Sequence, residues 1–365
     1  MRYALIIAGG SGTRLWPMST QAMPKQLIPF INGKSLLQIA VERLEKVLPH
    51  DQIFICAGSS MKQAILDGLP NFSPNNFIEE PTGRDTLNAI ALSTAILAQK
   101  NPDAVVGVFS ADQVIEPVDQ FASVVDTGYQ IAESTPDSLV TFGIKPTHPA
   151  TGYGYLQLGA ALPSNNGLIV DQYKEKPDLS TAQAYLDAGP DQYLWNSGMF
   201  VWQAKTLLEC VKRYTPDNYT QIKSITDALD TPQYDAILAE VYPKLPRISV
   251  DYAVMEPASQ DPDIQVIATP MPIQWLDVGS WPSFKTVCDH DDNQNAQPNT
   301  KSTLIDTQNT LVASNDPNHL VTVLGCSDLI VIHTPTSTLV CHKDHAEQIK
   351  NLHSQIAETH GPDYL

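Results

Sequence analysis

Tyr3-Ala4-Leu5-Ile6-Ile7-Ala8, followed at once by Gly9-Gly10-Ser11-Gly12-Thr13-Arg14, is the stretch on which the reading of this chain turns. The apolar run predicts a short buried strand. The glycines after it let the backbone turn tightly and bring its N–H groups close to a polyanion, while Arg14 and Lys25 supply positive charge. Phosphate binding at the mouth of a parallel sheet is the functional reading; an ordinary glycine-rich strand-to-loop connection is the alternative. A P-loop is excluded because no Gly-Lys-Ser/Thr closes the motif. A dinucleotide fingerprint is excluded because Leu15 stands three residues after Gly12 where a glycine belongs, and Pro17 argues against a continuous helix.

The flanking residues carry a resemblance. Gly9 to Ser19, with Leu15-Trp16-Pro17-Met18 inside it and Met23-Pro24-Lys25-Gln26 after it, resembles the signature of sugar-nucleotide pyrophosphorylases, in the form found in mannose-1-phosphate guanylyltransferases. The resemblance implies that Ala8, Gly9, Gly10, Gly12, Thr13, Arg14 and Lys25 hold a nucleoside triphosphate. Thr20 departs from the pattern, where members carry arginine.

The chain has 365 residues, enough for a large core and a second, smaller unit. With 42% hydrophobic and 17% charged residues the composition is globular. A formal charge of -18, from 40 acids against 22 Lys and Arg, disfavours nucleic-acid and anionic-membrane partners, so any phosphate must be met by a local positive pocket. Cys56, Cys210, Cys288, Cys326 and Cys341 are scattered and odd in number, which reads as reduced thiols. No signal peptide or bilayer-length apolar run is present, and the expectation is a cytoplasmic protein.

Leu37, Ala40, Val41 and Leu44 share a helical face, and 52–57 reads as the next strand, so α/β alternation predicts a three-layer, Rossmann-like domain with a mixed central sheet. A helix is expected after Pro81-Thr82-Gly83-Arg84-Asp85-Thr86, with Leu87, Ile90, Ala91 and Leu97 as its buried stripe. The resemblance places Arg84 at the nucleotide; a hydrogen bond or ion pair at the helix entry is the alternative. Asp85 and Leu87-Asn88 depart from the pattern there. The strand 104–109 delivers Ser110-Ala111-Asp112-Gln113 at its end. An aspartate so placed either binds Mg²⁺ or caps the next element, and the resemblance favours the metal. Gln113 stands where members carry histidine.

Thr151-Gly152-Tyr153-Gly154-Tyr155, Lys174-Glu175-Lys176-Pro177 and Trp195-Asn196-Ser197-Gly198 occur in the order of the same family's sugar-phosphate side. From chemistry, aromatic walls can pack a sugar, Glu175 and Asn196 can meet hydroxyls, and Lys176 can bind a phosphate. Core packing, an exposed charged turn and a buried turn asparagine are the respective alternatives. The resemblance implies Gly152, Tyr153, Glu175, Lys176 and Asn196 as sugar-phosphate ligands. The segment 248–256 resembles the family's closure over the sugar, with Asp251 orienting the loop or forming a plain cap. In Trp275-Leu276-Asp277-Val278-Gly279-Ser280-Trp281, the match to a second metal position pairs Asp277 with Asp112.

Residues 207–238 read as helices broken near Pro216 and Pro232. The expected domains are 1–288, a nucleotidyltransferase domain, and 289–365, a small β-rich tail with a terminal helix over 344–356. Thr303 to Leu311 reads as one β-like run. Resemblance suggests a short left-handed β-helix used in packing or in a homodimer, with His333 and Thr336-Ser337 departing from the family pattern. His342, His345, His353 and His360 lack ligand spacing and read as surface or packing histidines. The chain has no room for the phosphomannose-isomerase domain of some longer relatives, which implies a monofunctional transferase.

The implied reaction is Mg²⁺-assisted transfer of GMP from GTP to mannose 1-phosphate, with Arg14, Lys25, Asp112 and Asp277 as catalytic residues. Two alternatives stand beside it: a glucose-1-phosphate nucleotidyltransferase using another triphosphate, and a sugar-nucleotide-binding regulator without turnover.

Overall fold

The computed structural model describes residues 1–10, 12–20, 23–29, 31, 33–163 and 166–365, so Ser11 of the opening loop lies outside the described residues. The strands of the larger part are β1 (Arg2–Ile7), β2 (Ile53–Gly58), β3 (Phe77–Glu80), β4 (Val105–Ser110), β5 (Gln113–Glu116), β6 (Ser138–Ile144), β7 (Tyr155–Ala161), β8 (Leu168–Lys174), β9 (Tyr193–Gln203), β10 (Gln265–Pro270) and β11 (Gln274–Asp277). Nine form one mixed sheet in the order β3-β2-β1-β4-β9-β6-β10-β8-β7. β1 runs parallel to β2 and β4, and β9 is antiparallel to β4 and β6. Apolar residues sit on both faces of β1 because helices cover both: Ala4, Leu5 and Ile6 are wholly buried, each larger side chain contributing about 1.5–3 kcal/mol.

The helix Leu36–Leu44 begins with a capping box between Ser35 and Gln38, which satisfies its first free N–H groups. Its face of Leu37, Ala40, Val41 and Leu44 is buried as the periodicity predicts. The helix Asp85–Lys100 is buried over the whole of Leu87–Leu97, more than the single stripe expected. It lies between the sheet and the helices Ala204–Tyr214 and Pro216–Thr226, so apolar and small residues are needed all round. Its polar Asn88 is reconciled with burial by donating to the Arg84 and Pro246 carbonyls, both at 2.8 Å. Pro216 opens the second of these helices, and a third, Tyr234–Val241, follows Pro232.

The tail contains β12 (Lys301–Ile305), β13 (Leu311–Ser314), β14 (Leu320–Leu324), β15 (Leu329–His333) and β16 (Thr338–His342). β12 pairs with β14 and β13 with β15, both in parallel, and β16 closes antiparallel on β15. The single run expected over 303–311 is two strands. Asp306 (φ 48°) and Asn309 (φ 50°) adopt left-handed backbone between them, which no strand accommodates. The terminal helix is a 3-10 stretch, Lys343–Gln348, continuing into Ile349–His360, so it reaches beyond Ile356.

The tail packs against the opening loop. Leu15, Trp16 and Met18, then Val278, Trp281 and Phe284, share one buried cluster with Leu311, Ile330, Ile332 and Ile349. The Trp281 indole donates to the Trp16 carbonyl at 3.0 Å, and the Trp16 indole donates to the Tyr364 carbonyl at 2.7 Å. The two aromatic motifs of the sequence thus fasten one another, with the end of the chain as backing.

Candidate active site

The opening loop leaves β1 at the end of the parallel strands and turns through Gly10 (φ 102°) and Gly12 (φ 60°). Gln26 holds it from behind, donating to the Gly9 carbonyl at 2.6 Å. Lys25 opens a short 3-10 turn and reaches across to Asp112 at the end of β4, its Nζ lying 2.6 Å from Asp112 Oδ2. The Ser110 hydroxyl donates to the other oxygen of Asp112.

Asp277 arrives from the far end of the domain by strand pairing. β11 runs antiparallel to β5 with Asp277 opposite Gln113, and the Val278 N–H donates to the Asp112 carbonyl at 3.0 Å. That ladder places two aspartates, remote in sequence, on adjacent backbone positions. Beneath them lies Arg43, 2% exposed, whose guanidinium donates to the Gln113 carbonyl at 2.9 Å and stacks 4.9 Å from the Phe121 ring. Burial pulls the Arg43 pKa down to about 10, still far above neutrality.

A cavity of about 230 Å³ opens here, lined by Asp112, Gln113 and Asp277 on one side and by Gly152, Tyr153, Glu175, Asn196 and Asp251 on the other. Tyr153 stands edge-on between Trp195 and Trp275, 5.2 Å from each ring centre. The Tyr173 hydroxyl donates to Asp251 Oδ1 at 2.7 Å, and Asn196 Nδ2 donates to the Tyr173 oxygen at 2.6 Å and to Asp251 at 3.1 Å. Thr141 donates to Asn196 Oδ1 at 2.7 Å. Asn196 is therefore tied into a buried network that orders the pocket wall, which is closer to the turn-asparagine alternative than to a free hydroxyl reader.

The electrostatics divide the cavity in two. On the Asp112 side, burial works to raise that carboxyl, but the Lys25 ammonium and the Ser110 hydroxyl outweigh it and leave the pKa below the usual range. Asp277 is pushed up to about 6, by burial first and by the charge of Asp112 second. On the other side Glu175 is raised by burial and by Asp251, against the opposing pull of Lys176, whose Nζ lies 2.8 Å from Glu175 Oε1. Asp251 is raised by burial, partly offset by the Tyr173 hydrogen bond. Two carboxylates close enough to repel, both hard oxygen donors, fit a divalent cation of the Mg²⁺ kind, since such an ion relieves the field that raises Asp277.

The remaining sequence candidates are placed less centrally. Arg14 extends to Glu347 of the tail at 3.2 Å and lies beside Gly279, so it borders Asp277 while being paired elsewhere. Arg84 donates to the Pro243 carbonyl and its N–H to Glu80 Oε1 at 3.1 Å; it is not among the cavity-lining residues, and its position matches the helix-entry alternative. Lys176 (φ 44°) is at the rim through Glu175 rather than in the lining. Thr13 and Arg14 begin a 3-10 turn capped by Gly12, and Ala8 is wholly buried at the end of β1.

Sequence reasoning missed Tyr173, which joins Glu175, Asn196 and Asp251, and underrated Asp251, which lines the cavity instead of merely capping a loop. Asp251 starts a π-helical turn, a distortion with no sequence signature here. Gln113 is a further lining residue: its Nε2 donates to the Ser197 carbonyl at 2.9 Å, and its Oε1 is buried without a hydrogen-bond partner among the described residues.

Residues 3–294 match the family described as Nucleotidyl transferase, and residues 301–356 the family described as MannoseP isomerase/GMP-like beta-helix domain. A mannose-1-phosphate guanylyltransferase of Escherichia coli is 33% identical over 359 residues, covering 95% of this chain and 74% of that one. The xanthan biosynthesis protein XanB of Xanthomonas campestris pv. campestris (strain B100) is 33% identical over 362 residues, covering 96% and 72%. The crystal structure of mannose-1-phosphate geranyltransferase from Thermus thermophilus superposes with a TM-score of 0.84 at 29% identity, covering 97% of this chain and 99% of that one.

Proposed function

Because this chain belongs to the mannose-1-phosphate guanylyltransferases of the nucleotidyl transferase family, we propose that it transfers GMP from GTP to mannose 1-phosphate, releasing pyrophosphate. The observation that carries the reading is the cavity bounded on one side by the Lys25–Asp112–Asp277 group and on the other by Tyr153, Glu175 and Asn196. A triphosphate and a sugar phosphate would meet between the two.

The sugar-phosphate oxygen attacks the α-phosphorus of GTP, and pyrophosphate leaves from the opposite face. That oxygen is already anionic, so no general base has to remove a proton from it. Lys25 neutralises developing phosphate charge, exchanging its contact with Asp112 for one with a phosphate oxygen. Arg14 makes the corresponding exchange from Glu347. N–H groups of the loop at Gly9, Gly10 and Gly12 face the triphosphate, and Glu175, held by Lys176 and Tyr173, accepts sugar hydroxyls. Asp112 and Asp277 would hold Mg²⁺, which when bound supplies charge neutralisation at the phosphates.

The test is pyrophosphate release with product identification, using purified protein, Mg²⁺, GTP and mannose 1-phosphate, against ATP, UTP, TTP and glucose 1-phosphate. GDP-mannose as the preferred product is the expected result; preference for another pair would overturn the specificity. Binding without turnover for every pair would overturn the reaction.

Lys25→Ala is expected to lower kcat/KM about tenfold to a hundredfold, since a charge-assisted hydrogen bond contributes roughly 1.5–3 kcal/mol. The same rate assay checks it. A loss confined to KM would mean that Lys25 binds ground and transition states alike.

A further inference from the structure

The turn after β13 carries Asn315-Asp316-Pro317-Asn318-His319, and β15 ends beside it at His333. Parallel pairing sets Ser314 opposite His333, and the Asn315 N–H donates to the His333 carbonyl at 3.3 Å. The turn is also pinned from within. The Asp316 N–H donates to Ser314 Oγ at 3.0 Å, and the Asn318 N–H donates to Asp316 Oδ1 at 2.9 Å.

Two imidazoles and one carboxylate are thereby brought together. The His319 and His333 rings stack with centroids 3.6 Å apart and planes 17° from parallel. One ligand-type atom from each of Asp316, His319 and His333 lies within 4.8 Å of the other two, the only such His, Cys, Asp and Glu grouping among the described residues. Thr338 stands opposite His333 on β16, and its Oγ1 is 2.9 Å from His333 Nδ1. With Nδ1 in contact with that hydroxyl, Nε2 is the His333 nitrogen left for a metal, and in the tautomer with hydrogen on Nδ1 the hydroxyl accepts it and fixes the ring.

We propose that Asp316, His319 and His333 form a binding site for a divalent cation of the zinc class in the C-terminal β-rich part. Two nitrogen donors and one oxygen donor favour Zn²⁺, Co²⁺ or Ni²⁺ over Mg²⁺, which prefers an all-oxygen shell. Three protein ligands leave the remaining position to water. Bound there, the cation ties the turn after β13 to the β15–β16 pair, so its role is to brace the tail. The site shares no residue with the cavity holding Asp112 and Asp277, and the proposal stands independently of the transferase reading.

The test uses metal-stripped full-length protein dialysed against Co²⁺ alone. Wild type is expected to take up one equivalent more than either His319→Gln or His333→Gln, with a visible cobalt absorption band that both variants lack. Comparing wild type with variants separates this site from the Asp112 and Asp277 carboxylates, which all three proteins retain. Zn²⁺ is expected to raise the melting temperature of wild type and leave that of Asp316→Asn and both histidine variants unmoved, with near-ultraviolet circular dichroism showing that each is folded. Equal cobalt stoichiometry in wild type and variants, or no uptake by wild type in millimolar Co²⁺, overturns the proposal.

Discussion

Asp277→Asn is expected to remove most of the turnover and at the same time to raise the melting temperature. The stability effect follows from the sign of the shift. The Asp277 carboxyl titrates at about 6, above its ordinary 3.8, because burial and then Asp112 disfavour its charge. A folded-state pKa above the unfolded value means the ionised group opposes folding. The penalty is fully present above about pH 6 and fades as the pH falls towards about 4.

A shift of this size corresponds to at most about 3 kcal/mol, and solvent screening in an open cleft reduces it to about 1–2 kcal/mol. Asparagine cannot ionise, so at pH 7.5 the variant should melt a few degrees higher than wild type, with the gap closing in acid. The rate should fall about a hundredfold to a thousandfold, since a metal ion at phosphoryl oxygens is worth several kcal/mol and Asp277 is one of the two carboxylates that would hold it. Calorimetry at two pH values and pyrophosphate release measure the two effects. Unchanged turnover would remove Asp277 from metal binding at the reacting phosphates, and a lower melting temperature would show that its ionised carboxylate does not oppose folding.

Gly12→Ala should be nearly as damaging to the rate, for a geometric reason. Gly12 sits at φ 60°, and a methyl group there would lie 2.5 Å from Ser19 Oγ and 2.8 Å from Lys25 Cβ. Left-handed backbone costs an alanine about 1–2 kcal/mol. The larger effect comes from the contacts, because relieving them moves the stem of Lys25 and withdraws its ammonium from Asp112. Displacement of a charged group by about 1 Å can cost about a hundredfold. We therefore expect kcat/KM to drop at least about a hundredfold with a modest loss of stability, read by steady-state kinetics and thermal melting. Gly83→Ala is the control, since a methyl group there meets nothing within 4 Å and the residue lies outside the cavity lining.

The apolar runs of β1, β2 and β4 were legible because strands covered on both faces read as continuous hydrophobic segments. Asp112, where such a run stops, and Asp277, framed by a glycine and two tryptophans, each have a plainer reading from their residues alone, and it is the family resemblance that pairs them; the cavity lining contains both. Tyr173 was not, since a buried tyrosine looks like core until its hydroxyl is seen to join three polar side chains. Arg84 is a different case: the resemblance places it at the nucleotide, and in the structure its guanidinium meets the Pro243 carbonyl, a contact no local pattern announces. His319 and His333 escaped because a strand separates them in sequence, and only parallel pairing makes them neighbours. The tail's contact with the opening loop escaped because periodicity reports which face is buried and never what buries it.

That contact bears on the order in which the protein is made. Trp16 precedes Tyr364, whose carbonyl its indole needs, by 348 residues of synthesis. At about 5–20 residues per second, synthesis of the intervening chain takes roughly 20–70 s. Throughout that interval β1 has no β4 beside it until Val105 emerges, and the Trp16 face has no cover until the tail arrives. A nascent chain should therefore acquire its sheet well before its opening loop is braced, so that a segment made ahead of most of the sheet settles after it.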